Sequence, residues 1–307
     1  MVGPPGVAWG DGLGKGDFGR LGERNLSQQV PMRIGGYAMS RTTRGFLGID
    51  VGGTFTDLVL LEARTGETHV EKILSTPDEL ERAAIEGFRQ LLVSTQGSPR
   101  SMSRVIHAST VATNAVIERK GAVTGLITTR GFRDVIEIGR ELRYDLYDLG
   151  IAFPPPIVER ARRREVEERI ASDGSVLLPL NIQQLNKEAD RLAGEGVSSI
   201  AIGFLHSYAN PTHEMAAAKL IARRHPRIEV SLSSEVAPEI REYERFVTTA
   251  INAYIKPIVK GYLQRLEQLL GYEGFAGRLF IMLSNGGIST PQVAGAIPVK
   301  MLESGPA

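Results

Sequence analysis

Asp50-Val51-Gly52-Gly53-Thr54-Phe55-Thr56-Asp57 is the segment whose residue types and spacing are best suited to chemistry. Apolar runs flank it on both sides, so it reads as a turn between two strands. Two adjacent glycines let a backbone turn sharply and approach a ligand with no β-carbon in the way. Their N–H groups, with those of Thr54 and Phe55, can form a concavity that binds an anion. The hydroxyls of Thr54 and Thr56 add donors beside it. Asp50, at the strand end, is placed to hold a water on Mg2+ or to accept a proton from an attacking group. Phosphate is the anion that suits this set. The competing reading is a plain hairpin whose Gly-Gly pair supplies positive φ. It leaves the Asp before the turn, and the two Thr and the Asp after it, without a reason.

A second polar set, Thr110, Thr113 and Asn114, stands in an otherwise small-residue segment that opens at His107. These residues either line a cleft or cap a helix N-terminus. His107 ends an apolar strand and reads as structural. His206 and His213 flank a loop containing Pro211, which is not the spacing of a helical metal pair, so no metal site is assigned to them. Arg160 to Arg169 mixes charge signs and reads as a solvated face or β-arm. The chain has no cysteine, which removes thiol nucleophiles, cysteine-held zinc and disulfides together. Gly14, Gly16 and Gly19 match a dinucleotide fingerprint, but no apolar strand precedes them, so the motif lacks its context.

The elements that must position these groups begin at Phe46. Residues 1–45 are glycine-rich without helical or strand period and are expected to be disordered. Residues 46–51 read as a buried strand, 54–61 as a second, and Thr65-Gly66 as the turn into a third. Thr76, Pro77 and Glu79 predict a capped helix start followed by an apolar face through Leu92. From Asn181, a predicted helix cap, helices alternate with short apolar strands, the pattern of a mainly parallel sheet with helices packed on it. Residues 239–270 carry the longest helical period, with Pro257 expected to kink or split it. A last strand, 279–283, runs into Ser284-Asn285-Gly286-Gly287. No repeat of solenoid length is present.

Composition fits this picture. At 307 residues and 42% hydrophobic, the chain can bury a substantial core as one large or two ordinary domains. Lys plus Arg number 36 against 35 acidic residues, a balance that argues against a nucleic-acid binder. No apolar run reaches the roughly 18–20 residues that span a bilayer, and no signal-peptide core opens the chain. The expected location is cytoplasmic.

The phosphate-type turn resembles the first phosphate motif of the actin, sugar-kinase and Hsp70 superfamily. Further segments narrow the resemblance: His107 to Ala115 with Glu118 to Ala122, Thr128 to Asp134, Tyr144 to Leu149, His206 to Pro211 with His213-Glu214, Ser234 to Arg245, Ser284 to Gly287 and Glu303 to Ala307. Together, in order from Phe46 to Ala307, they resemble the hydantoinase A/5-oxoprolinase family. One departure is Ala108-Ser109, where that family more often has Gly-Thr.

The resemblance implies an α/β fold, an actin-like ATPase (ribonuclease H-like) lobe with a mixed sheet and flanking helices. It divides the chain into a tail over 1–45, an N-terminal lobe over 46–235 and the start of a second lobe over 236–307. The implied activity is ATP-dependent ring opening of a cyclic amide such as a hydantoin or 5-oxoproline, through phosphorylation of the amide oxygen. Carried over by position, Asp50 is catalytic and reaches Mg2+ through water, Gly52, Gly53, Thr54, Thr56 and Asp57 handle phosphate, and Thr110, Thr113 and Asn114 line the substrate cleft. A hydantoinase B-type subunit is the implied partner. The alternatives are a ketone carboxylase subunit of the same family and a non-catalytic remnant. A sugar kinase lacks the segments around Thr110 and Asn285. In the family a second phosphate turn follows the Ser-Gly-Pro-Ala segment at which this chain ends. A truncated second lobe is therefore expected, with helix 239–270 exposing an apolar patch and the chain alone showing weak or undetectable ATPase activity.

Overall fold

In the computed structural model the described residues are 45–76, 78–140, 147, 150 and 153–302. Pro77, most of the segment Tyr144 to Leu149, the fingerprint-like glycines and Glu303 to Ala307 lie outside them.

The chain opens with three antiparallel strands, β1 (Gly45–Val51), β2 (Phe55–Glu62) and β3 (Thr68–Leu74). Alternation of buried and half-exposed residues along β1 sets one face inward. Gly66, at φ 78°, makes the expected turn between β2 and β3. Helix α1 (Leu80–Ser94) then crosses to β4 (Met102–Ser109), which runs parallel to β1, and α2 (Val111–Ile117) follows directly. The α1 start differs from the expected capping box. The helix begins at Leu80 with no side-chain cap, and Thr76 accepts from Ala83 N at 3.2 Å from outside the first turn.

A second sheet comes next in the chain. Its strands are β5 (Thr124–Thr129), followed by α3 (Val135–Ile138), and β6 (Arg163–Val166). A small ribbon of β7 (Arg169–Ile170) and β8 (Val176–Leu178) leads to α4 (Ile182–Gly194), β9 (Ser199–Gly203), α5 (Thr212–Arg224), β10 (Glu229–Leu232) and α6 (Ser233–Val236). Asn181 caps α4 as expected, its Oδ1 accepting from Gln184 N at 3.0 Å. The order β10-β9-β5-β6 is parallel throughout. The charged run at 160–169 is not wholly solvated. Arg163 is buried on β6, donating from Nε to the Val158 carbonyl at 3.0 Å and from Nη2 to Glu137 at 2.8 Å.

Helix α7 (Glu242–Tyr272) joins the two sheets. Its first turns, with Phe246, Ala250 and Ala253, pack with Leu126 and Ala201 of the second sheet. Its later turns, from Tyr254 to Leu270, pack with Leu47, Ile49 and Val51 of the first. Two glycines allow the close approach: a β-carbon on Gly203 would meet the Phe246 ring at 2.5 Å, and one on Gly121 the Tyr254 ring at 2.1 Å. Two expectations are corrected here. Pro257 does not split the helix, which runs 31 residues through it. Burial on both sides of Pro257 outweighs the loss of one helical hydrogen bond, since each buried Leu, Ile or Phe contributes about 1.5–3 kcal/mol. Nor is the helix bare of partners: Phe246, Ile255, Val259 and Leu266 have no exposed surface at all.

The chain then returns to the first sheet. β11 (Arg278–Met282) lies parallel beside β4, and β12 (Ile288–Ser289) and α8 (Pro291–Ala296) follow. The six-stranded order is β12-β11-β4-β1-β2-β3, a mixed sheet with α1, α2, α7 and α8 contributing to one core. No helix among the described residues is long and apolar enough to cross a membrane.

Candidate functional site

The turn from Val51 to Phe55 stands where β1 and β2 separate. The Gly52 N–H donates to the Phe55 carbonyl at 3.0 Å, and a β-carbon on Gly52 would come within 3.1 Å of that oxygen. Neither Gly52 nor Gly53 has positive φ. Gly52 therefore serves close approach, and left-handed geometry explains neither glycine, so the plain-hairpin explanation for the pair does not hold.

Ser75, just past β3, clamps the turn from behind. Its N–H donates to the Thr54 carbonyl at 2.9 Å and its hydroxyl to the Gly52 carbonyl at 2.7 Å. With two turn carbonyls held inward, the exposed N–H groups of Gly53 and Thr54 have no partner among the described residues. A pair of free adjacent backbone donors is the physical core of an anion nest. Thr56 belongs to the support. It is fully buried, and because Ser75 spends its proton on Gly52, the Thr56 hydroxyl is the donor in their 2.9 Å contact.

Asp50, Asp57 and Lys72 lie in one row across β1, β2 and β3, on the face away from the core. Lys72 Nζ is 2.6 Å and 2.9 Å from the two oxygens of Asp57. Asp50 Oδ1 is buried without a hydrogen-bond partner. Burial raises the Asp50 carboxyl above its ordinary range, repulsion from Asp57 adds to this, and Lys72 works against it.

The second polar set meets the first. Thr110 N donates to the Val51 carbonyl at 3.2 Å. Asn114 Nδ2 donates to Thr110 Oγ1 at 3.3 Å and lies 3.9 Å from where a Gly53 β-carbon would be. Thr110 takes the N-cap position of α2 but makes no side-chain cap bond, so capping does not account for it. Asn114 and Thr113 are half-buried on α2. The structure thus brings Asp50, Gly52, Gly53, Thr54, Thr110 and Asn114 to one place, while Thr56 faces the core and Asp57 is tied to Lys72.

His107 is part of the scaffold. It is fully buried, and since a carbonyl only accepts, its Nδ1 carries the proton donated to Ile49 O at 3.2 Å. Nε2 is then the acceptor of the Tyr262 hydroxyl at 2.8 Å. Burial lowers the His107 pKa to about 4 and raises that of Tyr262. His206 contacts Tyr208 Oη at 3.1 Å, and His213 contacts Glu168 at 2.8 Å, in separate places. Sequence reading missed Lys72 and Ser75. The hairpin register that sets Lys72 opposite Asp57 is centred on Arg64-Thr65, one residue before the Thr65-Gly66 pair that marked the turn in the sequence.

Comparison with known proteins gives consistent results. A hydantoinase/oxoprolinase N-terminal region model matches residues 46–225, and a hydantoinase/oxoprolinase model matches residues 245–307. An uncharacterised protein of Methanocaldococcus jannaschii is 41% identical over 264 residues, which is 85% of this chain and 38% of that protein. Caprolactamase subunit alpha of Pseudomonas jessenii is 34% identical over 267 residues, with the same two shares. The solved ATP-dependent caprolactamase of that organism superposes with a TM-score of 0.74 at 33% identity, over 83% of this chain and 38% of its own. A nucleotide-free acetone carboxylase superposes with a TM-score of 0.77 at 27% identity, over 86% of this chain and 39% of its own. The chain spans about two fifths of the length of these relatives.

Proposed function

The chain belongs to the hydantoinase/oxoprolinase family, and on that footing we propose that its β1–β2 turn binds the phosphates of ATP. The larger enzyme of which this region is a part uses ATP to phosphorylate the oxygen of a cyclic amide and so opens the ring. The observation that carries the reading is the buried, unpartnered Asp50 Oδ1 beside the free Gly53 and Thr54 N–H groups.

These residues divide the work as in-line phosphoryl transfer requires, by positioning and charge neutralisation. Gly53 and Thr54 N–H groups hold phosphate oxygens, and the Thr54 hydroxyl adds a donor. The lone Asp50 carboxylate fits Mg2+, which keeps several waters and takes few protein ligands. An ion held there would supply neutralisation of charge on the phosphates. Asp57, held by Lys72, adds negative charge near Asp50 and helps tune its affinity for a cation or a proton. Thr110 and Asn114 present polar groups across the turn for the amide. In the transfer the amide oxygen forms the new P–O bond and ADP leaves. Water then adds at the activated carbon, the ring C–N bond breaks with the proton passing to the departing nitrogen, and a second water hydrolyses the resulting acyl phosphate to carboxylate and phosphate. Phosphate on the amide oxygen ends the resonance that protects the amide carbon from water, and it is the group that leaves in the second step. A hydantoinase B-type subunit is the proposed partner for the hydrolytic half.

The second reading is ATP-dependent carboxylation of a ketone. The higher superposition score with acetone carboxylase favours it, while the higher sequence identity with caprolactamase favours the lactam reading. We prefer the latter because identity follows side chains, on which substrate choice depends. The test is ADP release by the chain with a B-type subunit, offering hydantoin, 5-oxoproline or caprolactam against acetone with bicarbonate. The cyclic amides should stimulate release without bicarbonate. Stimulation only by ketone with bicarbonate would overturn the lactam reading.

A further inference from the structure

One face of α7 carries charge at both ends and an apolar residue between them. Lys256, Lys260, Leu263 and Glu267 follow one another at the spacing that aligns side chains along a helix. Helix α8 lies against this face with Pro291, Gln292 and Ala296, and Glu229, the first residue of β10, closes one end. Between them is a cleft of about 390 Å3, a size that suits a small molecule. None of the residues lining it belongs to the β1–β2 turn.

The two ends of the cleft are unlike. At the first, Lys260 Nζ donates to Glu229 Oε1 at 2.5 Å. Lys256 Nζ donates to the Val230 carbonyl at 2.6 Å and stands 3.7 Å from Glu229 Oε2. Two ammonium groups thus share one carboxylate, which leaves an excess of positive charge. Each ammonium has three donors, and among the described residues each makes a single hydrogen bond. Burial lowers the Lys256 pKa, and Lys260 adds to that shift while Glu229 opposes it. This end is short of negative charge.

At the other end Glu267 forms no ion pair among the described residues. Its two oxygens accept only from the neutral Gln292 Nε2, at 3.4 and 3.3 Å. Leu263, Pro291 and Ala296 give the stretch between the ends an apolar floor. The helical rise puts Glu267 about 10 Å along the axis from Lys260. Charged side chains reaching in from both ends leave room between their tips for a short aliphatic chain.

We propose that this cleft binds an ω-amino carboxylate, with its carboxylate at Lys256 and Lys260, its methylenes on Leu263, Pro291 and Ala296, and its ammonium at Glu267. The charge layout alone selects this ligand. Opening a lactam leaves a carboxylate and an amine at the two ends of one chain, so the ligand is also of the class that the proposed reaction releases. That significance rests on the lactam reading; the binding does not.

The test is calorimetry without nucleotide, using 6-aminohexanoate beside hexanoate and hexylamine, which each keep one charged end. Circular dichroism checks the folding of every variant. The wild type should bind 6-aminohexanoate, and each one-ended probe at least about tenfold more weakly, the loss of one charge-assisted contact. Glu267→Gln should bind 6-aminohexanoate no better than hexanoate. Lys260→Gln, at a side chain 43% exposed, should weaken both carboxylates and spare hexylamine. No binding by the folded wild type overturns the proposal, as does equal affinity for the three probes, or wild-type affinity in either variant. The phosphate reading is tested separately by ATP, whose affinity for both variants should match the wild type.

Discussion

Asp50 and Asp57 stand directly opposite each other in the β1–β2 register, and Lys72 completes the row by binding Asp57. Two carboxylates at neighbouring positions repel, and the lysine offsets the repulsion from one side only. The ion pair is exposed and contributes at most about 1 kcal/mol to stability, so its importance lies in the charge it sets at Asp50.

That arrangement predicts opposite responses to two substitutions. Asp57→Asn removes a neighbouring negative charge and should lower the Asp50 pKa. Lys72→Met removes the stabilising cation and should raise it further. Carboxyl carbon NMR titration reads both directly. Shifts of the same sign in the two variants would refute the electrostatic account.

His107 predicts a pH dependence of stability. Its folded pKa of about 4 lies below the unfolded value near 6.5. The contribution is therefore present above pH 6.5 and is lost as pH falls toward 4. It amounts to at most about 3 kcal/mol. Urea titrations of the wild type and His107→Gln from pH 7 to 4 should converge as pH falls. Parallel curves would mean that His107 is not held neutral by its burial between Ile49 and Tyr262.

The two turn glycines should behave differently when a methyl is added. Gly52→Ala forces a β-carbon against the Phe55 carbonyl at 3.1 Å and should cost stability, on the order of 1 kcal/mol. Gly53→Ala meets only Asn114, at 3.9 Å, and should leave the melting temperature nearly unchanged while intruding on the turn surface. Equal destabilisation by both would contradict the close-approach explanation.

Much of this fold was legible in sequence because local signals carried it. The Gly66 turn, the Asn181 cap and the alternation after it each sit within a few residues. The site was legible in part. Asp50 to Asp57 and Thr110 to Asn114 stood out by residue type, but not the fact that Gly53 meets Asn114. Thr56 looked like a free donor because only the register, with its odd and even faces, commits it to Ser75. Tyr262 could not be paired with His107 from spacing, being 155 residues away. Pro257 misled because helix propensity is local and the burial that overrides it is not.

Glu214 and Arg245, each from a segment that served as a family marker, belong to one buried polar cluster. Glu214 accepts from Phe204 N, Ser233 Oγ and Ser234 N at 2.9, 2.6 and 2.9 Å, while Arg245 donates to Phe204 O at 3.0 Å. Glu214→Ala strands these donors beside a buried guanidinium and should cost about 3–5 kcal/mol. Urea unfolding measures it. A loss below about 1 kcal/mol, the net value of one ordinary hydrogen bond, would show that the cluster does not hold β9 to α6 and α7.

The central claim is that the β1–β2 turn binds nucleotide phosphate, and titration calorimetry with ATP and Mg2+ tests it most directly. Wild-type chain should bind, Asp50→Ala should lose the Mg2+-dependent part of the affinity, and Met215→Ala, far from the turn, should bind as the wild type does. Binding by Asp50→Ala equal to the wild type, or no binding by a wild type that circular dichroism shows to be folded, would contradict the account.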